Sequence, residues 1–259
     1  MSPKKEHDEL IREEFARQSS SMPISPVFTS SDILDRIESA ACLASSSRVL
    51  DLGCGPGIIT EAFADDVGEM VAFDIAPEMM YSVLQRCRKA GQENVHFVIG
   101  HAERLPLHKA SFDTIITRLT FHHFPDPKTV ISEMSRVLRP DGNIVIADIV
   151  SSELPEEARL HNALEVLRDP SHVKMLSCTD LKHLVRSAGL FIEAEDSWIK
   201  EREFGEWLQI TNAPERSEPL YAIMQSLAKA NVRAGIDLQT DGATVKFVHR
   251  WLLLTAKKA

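Results

Sequence analysis

Three alternating glycines flanked by two carboxylates are the residues of this chain whose types and spacing point most directly to chemistry. The segment Val49-Leu50-Asp51-Leu52-Gly53-Cys54-Gly55-Pro56-Gly57-Ile58-Ile59-Thr60 runs from a buried-strand pattern through the glycines into a helical pattern. Glycine lets the backbone turn tightly and come close to a ligand, where a Cβ would obstruct the approach or forbid the dihedral. At the carboxyl end of a strand in an open α/β sheet, such a loop is where ligands bind; the alternative is a loop whose glycines serve only the turn. The dinucleotide fingerprint Gly-x-Gly-x-x-Gly is not met, because Ile58 stands three residues after Gly55. Asp51, two residues before Gly53, favours a cationic group and repels a pyrophosphate. Asp74, 21 residues after Gly53, closes a second strand and is placed to accept from two ribose hydroxyls. The ligand these residues call for is a nucleoside with a cationic tail.

The elements that position them alternate between strand-length apolar runs and segments of helical period, which is the signature of βαβ units around a parallel sheet. Strands are expected at Arg48–Leu52, Glu69–Asp74, Val95–Ile99, 112–117 and 143–149, each apolar enough to be covered on both faces. Asp126 reads as an N-cap with Pro127 as the first helical residue, and the turn Arg139-Pro140-Asp141-Gly142 leads into the fifth strand. Pro77 opens a helix that turns Met79, Met80, Val83, Leu84 and Cys87 inward and ends near Gly91. The flanks differ: a helix over 7–17, an irregular stretch over 19–26 and a helix over 32–43 precede the first strand. After the fifth strand come helices over 155–167 and 179–188, a strand over 191–198, a helical cap over 204–238 and a final strand within 244–254.

Composition narrows the classes. Twenty-nine basic against 38 acidic residues leave a charge of −9, without the positive field that holds polyanions, so nucleic acid and anionic membrane are poor partners and a small molecule is favoured. No apolar run approaches the roughly 20 residues needed to span a bilayer, and no apolar secretory segment follows Met1, so the chain reads as cytoplasmic. Cys42, Cys54, Cys87 and Cys178 lack any Cys-x-x-Cys spacing and read as reduced thiols; no metal is expected.

At the glycine loop and Asp74 the sequence resembles the class I S-adenosylmethionine-dependent methyltransferases, in the small-molecule branch that includes the ubiquinone and menaquinone C-methyltransferase-like and type 11 enzymes. Three further segments match in order and spacing: Gly100-His101-Ala102-Glu103-Arg104-Leu105-Pro106, then Ser111-Phe112-Asp113, then His122-His123-Phe124 followed by Val137-Leu138-Arg139-Pro140-Asp141-Gly142. The resemblance spans about residues 45–150. It implies a Rossmann-like, seven-stranded, mostly parallel sheet with an antiparallel last strand, flanked by helices and carrying a small helical cap. It also implies S-adenosyl-L-methionine as cofactor and S-adenosyl-L-homocysteine as product. Carried over by residue, it puts Gly53, Gly55 and Gly57 against the methionine part, Asp51 near its amino group and Asp74 on the ribose. Ile75 and Met79 would sandwich the adenine, Ala102 would donate a backbone N–H to it, and Arg118 would contribute near the methionyl group. The chain departs from the pattern at His101, which stands where an Asp usually accepts from the adenine amino group, with Glu103 as one replacement. It departs again at Ala76, where a Ser commonly caps the next helix; the loss is worth ~1 kcal/mol unless Asp74 or Glu78 compensates.

Methyl transfer is an in-line displacement, so alignment and desolvation carry most of the catalysis, and a base is needed only when the acceptor must lose a proton. The candidates are His122 and His123, with His123 favoured; the doublet can equally pack the loop or support the cofactor. Residues 1–44 are expected to form an N-terminal helical lid in which Phe15 to Phe28 close the pocket, with Arg17, Gln18 and Ser25 as polar candidates and Gln18 as a further cofactor contact. Residues 45–150 form the cofactor-binding core. Residues 151–259 complete the domain, with cap insertions at about 151–177 and 200–240 supplying Phe204, Trp207, Leu208 and Tyr221 as wall or cap core. The expectation is an enzyme acting on a small, cyclic or aromatic metabolite, as a monomer or homodimer. A non-catalytic S-adenosylmethionine-binding sensor or scaffold is the alternative. A protein or nucleic-acid methyltransferase is disfavoured by charge and by Arg118-Leu119-Thr120-Phe121, which lacks an Asn-Pro-Pro-Tyr-like tetrapeptide.

Overall fold

A computed structural model of the protein describes residues 3–258, leaving aside the side chains of residues 3–5 and 26. Five strands, β1 (Arg48–Leu52), β2 (Glu69–Asp74), β3 (Val95–Ile99), β4 (Phe112–Arg118) and β5 (Leu138–Val150), pair in parallel. Three more follow: β6 (Leu190–Glu203), the two-residue β7 (Gln239–Thr240) and β8 (Val245–Lys258). The order is β3-β2-β1-β4-β5-β8-β6, with β7 on β8 outside this path. β8 runs antiparallel to both β5 and β6, so the seven long strands have the expected largely parallel arrangement with an antiparallel last strand. The strand order reverses direction at β1 and β4, and this switch point opens a crevice at their carboxyl ends.

The helices are α1 (Pro3–Gln18), α2 (Pro26–Thr29), α3 (Ser31–Ala41), α4 (Ile58–Phe63) and α5 (Pro77–Ala90), then α6 (Pro127–Val137), α7 (Pro155–Arg168), α8 (Cys178–Ser187), α9 (Phe204–Gln209) and α10 (Ser217–Lys229). One apolar cluster joins α3, α4 and α5 to one sheet face through Ile33, Ile37, Val49, Phe63, Met70 and Met79. A second joins α6 and α8 to the other through Leu50, Leu52, Ile131, Met134, Leu181 and Val185. The cap has its own core of Leu164, Phe204, Trp207, Leu208, Leu220, Met224 and Phe247.

Several local expectations give way to tertiary structure. β3 is an edge strand with Phe97 and Ile99 exposed, so it is not covered on both faces. The turn at Arg139–Gly142 is a bulge inside β5: Leu138 already pairs with Phe112, the register then shifts, and pairing resumes at Asn143 with Thr114. Asp141 takes the positive φ of 62° that this excursion needs. β6 continues past residue 198 to Glu203 because β8 offers it partners as far as Lys246. The stretch expected to be irregular over 19–26 contains a 3₁₀ turn, Met22–Ile24, and the start of α2. Asp126 caps α6 as read, accepting from the Thr129 N–H, and Ser177 caps α8 in the same way by accepting from Asp180 N–H. α5 starts at Ala76 with no side-chain cap, and the Asp74 carboxylate instead accepts the Ala76 N–H at 2.9 Å.

Candidate functional site

The glycine loop leaves β1 and doubles back under β2: the N–H groups of Gly53 and Cys54 both donate to the Phe73 carbonyl, at 2.8 and 3.0 Å. Gly53 has φ +69°, and a Cβ there would sit 2.2 Å from Thr120 Cγ2, so both backbone and packing demand glycine. Gly55 also has positive φ, +51°, but a Cβ there meets nothing within 4 Å, so its constraint is conformational alone. At Gly57 a Cβ would strike Val83 of α5 at 2.8 Å, which makes this glycine a helix-packing residue. Asp74 accepts the Gly55 N–H at 2.9 Å with Oδ2 and the Ala76 N–H with Oδ1, tying the loop to the start of α5. Burial raises its pKa, against those two backbone hydrogen bonds.

Asp51 is buried and accepts from Thr60 Oγ1 at 2.6 Å; burial lifts its pKa to about 7, against the Thr60 hydrogen bond and with help from Asp74. Beside it, Arg118 donates through Nη2 to the carbonyls of Val27 and Phe28, both at 2.8 Å. Its Nε and Nη1 are buried and have no hydrogen-bond partner, and burial lowers its pKa to about 10 against the pull of Asp51. A buried guanidinium with unused N–H groups next to a buried carboxylate is matched by a zwitterion: an ammonium for Asp51 and a carboxylate for Arg118. The same cavity is lined by Gly53, Gly55, Met79, Arg118, Phe15 and Phe28. A neighbouring cavity holds Asp74, Ile75, His101, Ala102 and Glu103 under Asp8, Ile11 and Phe15 of α1. His101 Nδ1 lies 3.5 Å from Asp8 Oδ1, so a carboxylate does reach the place where the sequence lacks one, from the N-terminal helix.

A third cavity lies beyond the loop after β4. Met22, Val27, Phe28, Leu119, Ile149, Met175 and Ile210 form its apolar wall. Gln18, His122, His123, Glu165, Arg168, Asp169, His172, Arg202 and His249 form its polar one. Gln18 therefore faces this space, where its Nε2 donates to Asp169 Oδ2 at 2.8 Å, and not the glycine loop. Arg17 is bound to Glu215 at 2.7 Å on the surface. Of the cap aromatics only Trp207 reaches the cavity: Phe204 and Leu208 belong to the cap core, and Tyr221 packs on Phe204 with its hydroxyl donated to the Ala243 carbonyl.

His123 lines all three cavities. Its Nδ1 lies 3.0 Å from the Ser171 carbonyl, which fixes a proton there and leaves the lone pair of the neutral ring on Nε2. Burial and the neighbouring His122 lower its pKa to about 4, so it is neutral across the ordinary range. Ser171 is held in turn by Asp169, which accepts from its N–H at 3.0 Å and its hydroxyl at 2.6 Å. His122 instead pairs with Asp148 at 2.8 Å, and although burial opposes it, that carboxylate raises its pKa. Asp148 also accepts the N–H groups of Thr120 and Phe121, at 3.1 and 2.8 Å, holding the loop in which Leu119 takes φ 52°. Asp148, Asp169 and Ser171 were missed in the sequence. Asp148 had left one signal, an acid inside the apolar run Ile144-Val145-Ile146-Ala147-Asp148-Ile149-Val150.

Fold and site together give an α/β sheet with a glycine loop at its switch point and cavities on both sides of that loop. The family model of the methyltransferase domain matches residues 43–212. The uncharacterized methyltransferase YcgJ of Bacillus subtilis is 31% identical over 86% of this chain and 88% of its own length. Its crystal structure superposes with a TM-score of 0.82 at 28% identity, covering 88% of this chain and 98% of that one. The 27-O-demethylrifamycin SV methyltransferase of Amycolatopsis mediterranei is 33% identical over 68% of this chain and 69% of its own. The chain belongs to the methyltransferase-domain family, as a class I S-adenosylmethionine-dependent enzyme.

Proposed function

We propose that this methyltransferase acts on a small molecule held in the cavity beyond His123. The observation that carries the reading is that His123 borders both glycine-loop cavities and a neighbouring cavity that Met175, Trp207 and Ile210 extend away from the loop. A buried space of this kind admits a metabolite and not the surface of a folded macromolecule.

In this reading Asp51 takes the amino group and Arg118 the carboxylate of the methionine part, through N–H groups that nothing in the protein uses. Asp74 takes the ribose with the lone pairs left after Gly55 and Ala76, while Ile75, Met79, Ala102 and Glu103 enclose the adenine, and Asp8 with His101 closes its edge. Gly53, Gly55 and Gly57 keep the loop low enough for that approach. When bound, S-adenosylmethionine supplies a methyl group on a sulfonium, which transfers in line to a nucleophile and leaves S-adenosylhomocysteine. Phe15, Met22, Phe28 and Leu119 exclude water from the line of transfer. His123, neutral with its lone pair on Nε2, takes the acceptor's proton. A base of such low pKa serves an acceptor whose own O–H or N–H is acidic.

Incubation with methyl-labelled S-adenosylmethionine and a panel of acidic cyclic and aromatic hydroxyl compounds, beside a protein mixture and transfer RNA, tests this. Label enters the small-molecule fraction, and His123→Asn lowers kcat by roughly 10²–10⁴. Label found only in macromolecules overturns the reading.

A further inference from the structure

The far end of the acceptor cavity carries more hydrogen-bond donors than the protein can satisfy. Glu165 and Arg168 of α7, Arg202 of β6, Trp207 of α9 and His249 of β8 all line it. Arg202 Nη1 donates to His249 Nδ1 at 3.3 Å. Because a guanidinium can only donate, that contact makes Nδ1 an acceptor and puts the neutral ring's proton on Nε2. His249 Nε2–H then lies 3.3 Å from Glu165 Oε1 without forming a hydrogen bond to it. Trp207 Nε1 donates to the same oxygen at 3.3 Å, and His161 Nε2 stands 3.7 Å from it. Three rings therefore crowd one oxygen at distances longer than the usual 2.9–3.0 Å, and of the three only Trp207 makes a hydrogen bond to it. The other oxygen, Oε2, is engaged by Arg168 at 3.0 Å. Arg202 is buried, at 4% exposure, and its Nε has no hydrogen-bond partner. Its Nη2 lies 3.3 Å from the half-exposed Glu206 but makes no hydrogen bond.

His161, Glu165 and His249 also bring their ligand atoms within 4.8 Å of one another, a spacing that would suit a metal ion. The donor pattern opposes it. A metal on His249 Nε2 would move the proton to Nδ1, against the N–H of Arg202, and would add charge beside two guanidinium groups. What this end lacks is an acceptor for the N–H groups of Arg202 and His249 that neither Glu165 nor Glu206 takes up.

We propose that the methyl acceptor carries an oxyanion, and that Arg202, with Arg168 and His249 Nε2–H around it, receives that group. The inference deepens the small-molecule reading above and rests on it. It orients the acceptor: the oxyanion anchors against β6 and β8, and the reacting atom lies at the other end of the same cavity, toward His123 and Leu119. His122, paired with Asp148 at 2.8 Å, lines the wall between them. Asp169, the remaining acid of the lining, is occupied by Gln18 and Ser171.

The test titrates the full-length protein with benzoate, phenyl phosphate and the neutral isostere benzamide, with and without saturating S-adenosylhomocysteine. Either oxyanion binds more than tenfold tighter than benzamide, as expected for a hydrogen-bonded buried charge, and the better of the two identifies carboxylate or phosphate. Arg202→Gln erases the preference and Arg202→Lys keeps part of it, while both variants bind S-adenosylhomocysteine as the parent does. Equal affinities for the three probes, or a preference that survives in Arg202→Gln, overturn the proposal. Failure of S-adenosylhomocysteine to bind strikes the cofactor reading separately, because the probe comparison is also made without it.

Discussion

The glycine-loop side and the acceptor side of this molecule are built in opposite ways. The first comes from consecutive residues: Asp51 through Gly57 and then Asp74 arrive on two adjacent parallel strands whose register fixes their positions. The second is gathered from α1, α2, the loop after β4, α7 and the segment after it, β6, α9 and β8, and beyond the His122–His123 doublet and the i,i+3 pair Glu165–Arg168 no spacing announces its polar groups. The backbone also works differently on the two sides. The loop uses positive φ at glycines, while the acceptor side uses a left-handed Leu119 held in place by Asp148. A binding loop that serves one cofactor can be encoded locally, whereas a cavity that selects an acceptor is assembled by the tertiary fold.

The sharpest way to break this contrast is at Gly53. Gly53→Ala adds a Cβ 2.2 Å from Thr120 Cγ2 on a backbone with φ +69°, and we expect a loss of about 3 kcal/mol or more in stability together with loss of cofactor binding. Gly55→Ala, with positive φ but open space, costs only about 1–2 kcal/mol. Urea denaturation of the two variants beside the parent checks this, and equal losses would remove the distinction between packing and conformation in the loop.

A smaller effect separates the two sides by pH. Asp51 has its pKa lifted to about 7 and must be ionised to pair with an ammonium, so cofactor binding at pH 6 releases protons and affinity rises as pH climbs through 7. His123 titrates near 4, so its part in kcat is flat from pH 8 down to about 5. Calorimetry in buffers of different ionisation enthalpy measures the released protons, and Asp51→Asn removes most of the release. A kcat that fell with a midpoint near 6.5 through His123 would contradict the buried, neutral imidazole.

Much of the sheet and of the cofactor side was legible in the sequence because both are periodic and local. β1, β2 and β3 have the bounds read from their apolar runs, and Pro77, Asp126 and Gly91 punctuate helices as their chemistry requires. What escaped was set by neighbours. The exposed face of β3 follows from its place at the sheet edge, the length of β6 from the partners offered by β8, and the bulge in β5 from pairing with β4 on both sides of it. Asp8 reaches His101, Asp169 supports His123 through Ser171, and Arg202 meets His249 across separations of 93, 46 and 47 positions along the chain. No local pattern records such meetings.

The most direct test of the account is calorimetric titration of the protein with S-adenosylmethionine, in parallel with Arg118→Met, whose folding is followed by its melting transition. The account predicts micromolar binding by the parent and at least about tenfold weaker binding by the variant, since hydrogen bonds from a buried guanidinium to a carboxylate are worth about 1.5–3 kcal/mol. Absence of binding to the folded parent, or equal affinity in a folded Arg118→Met protein, would contradict it.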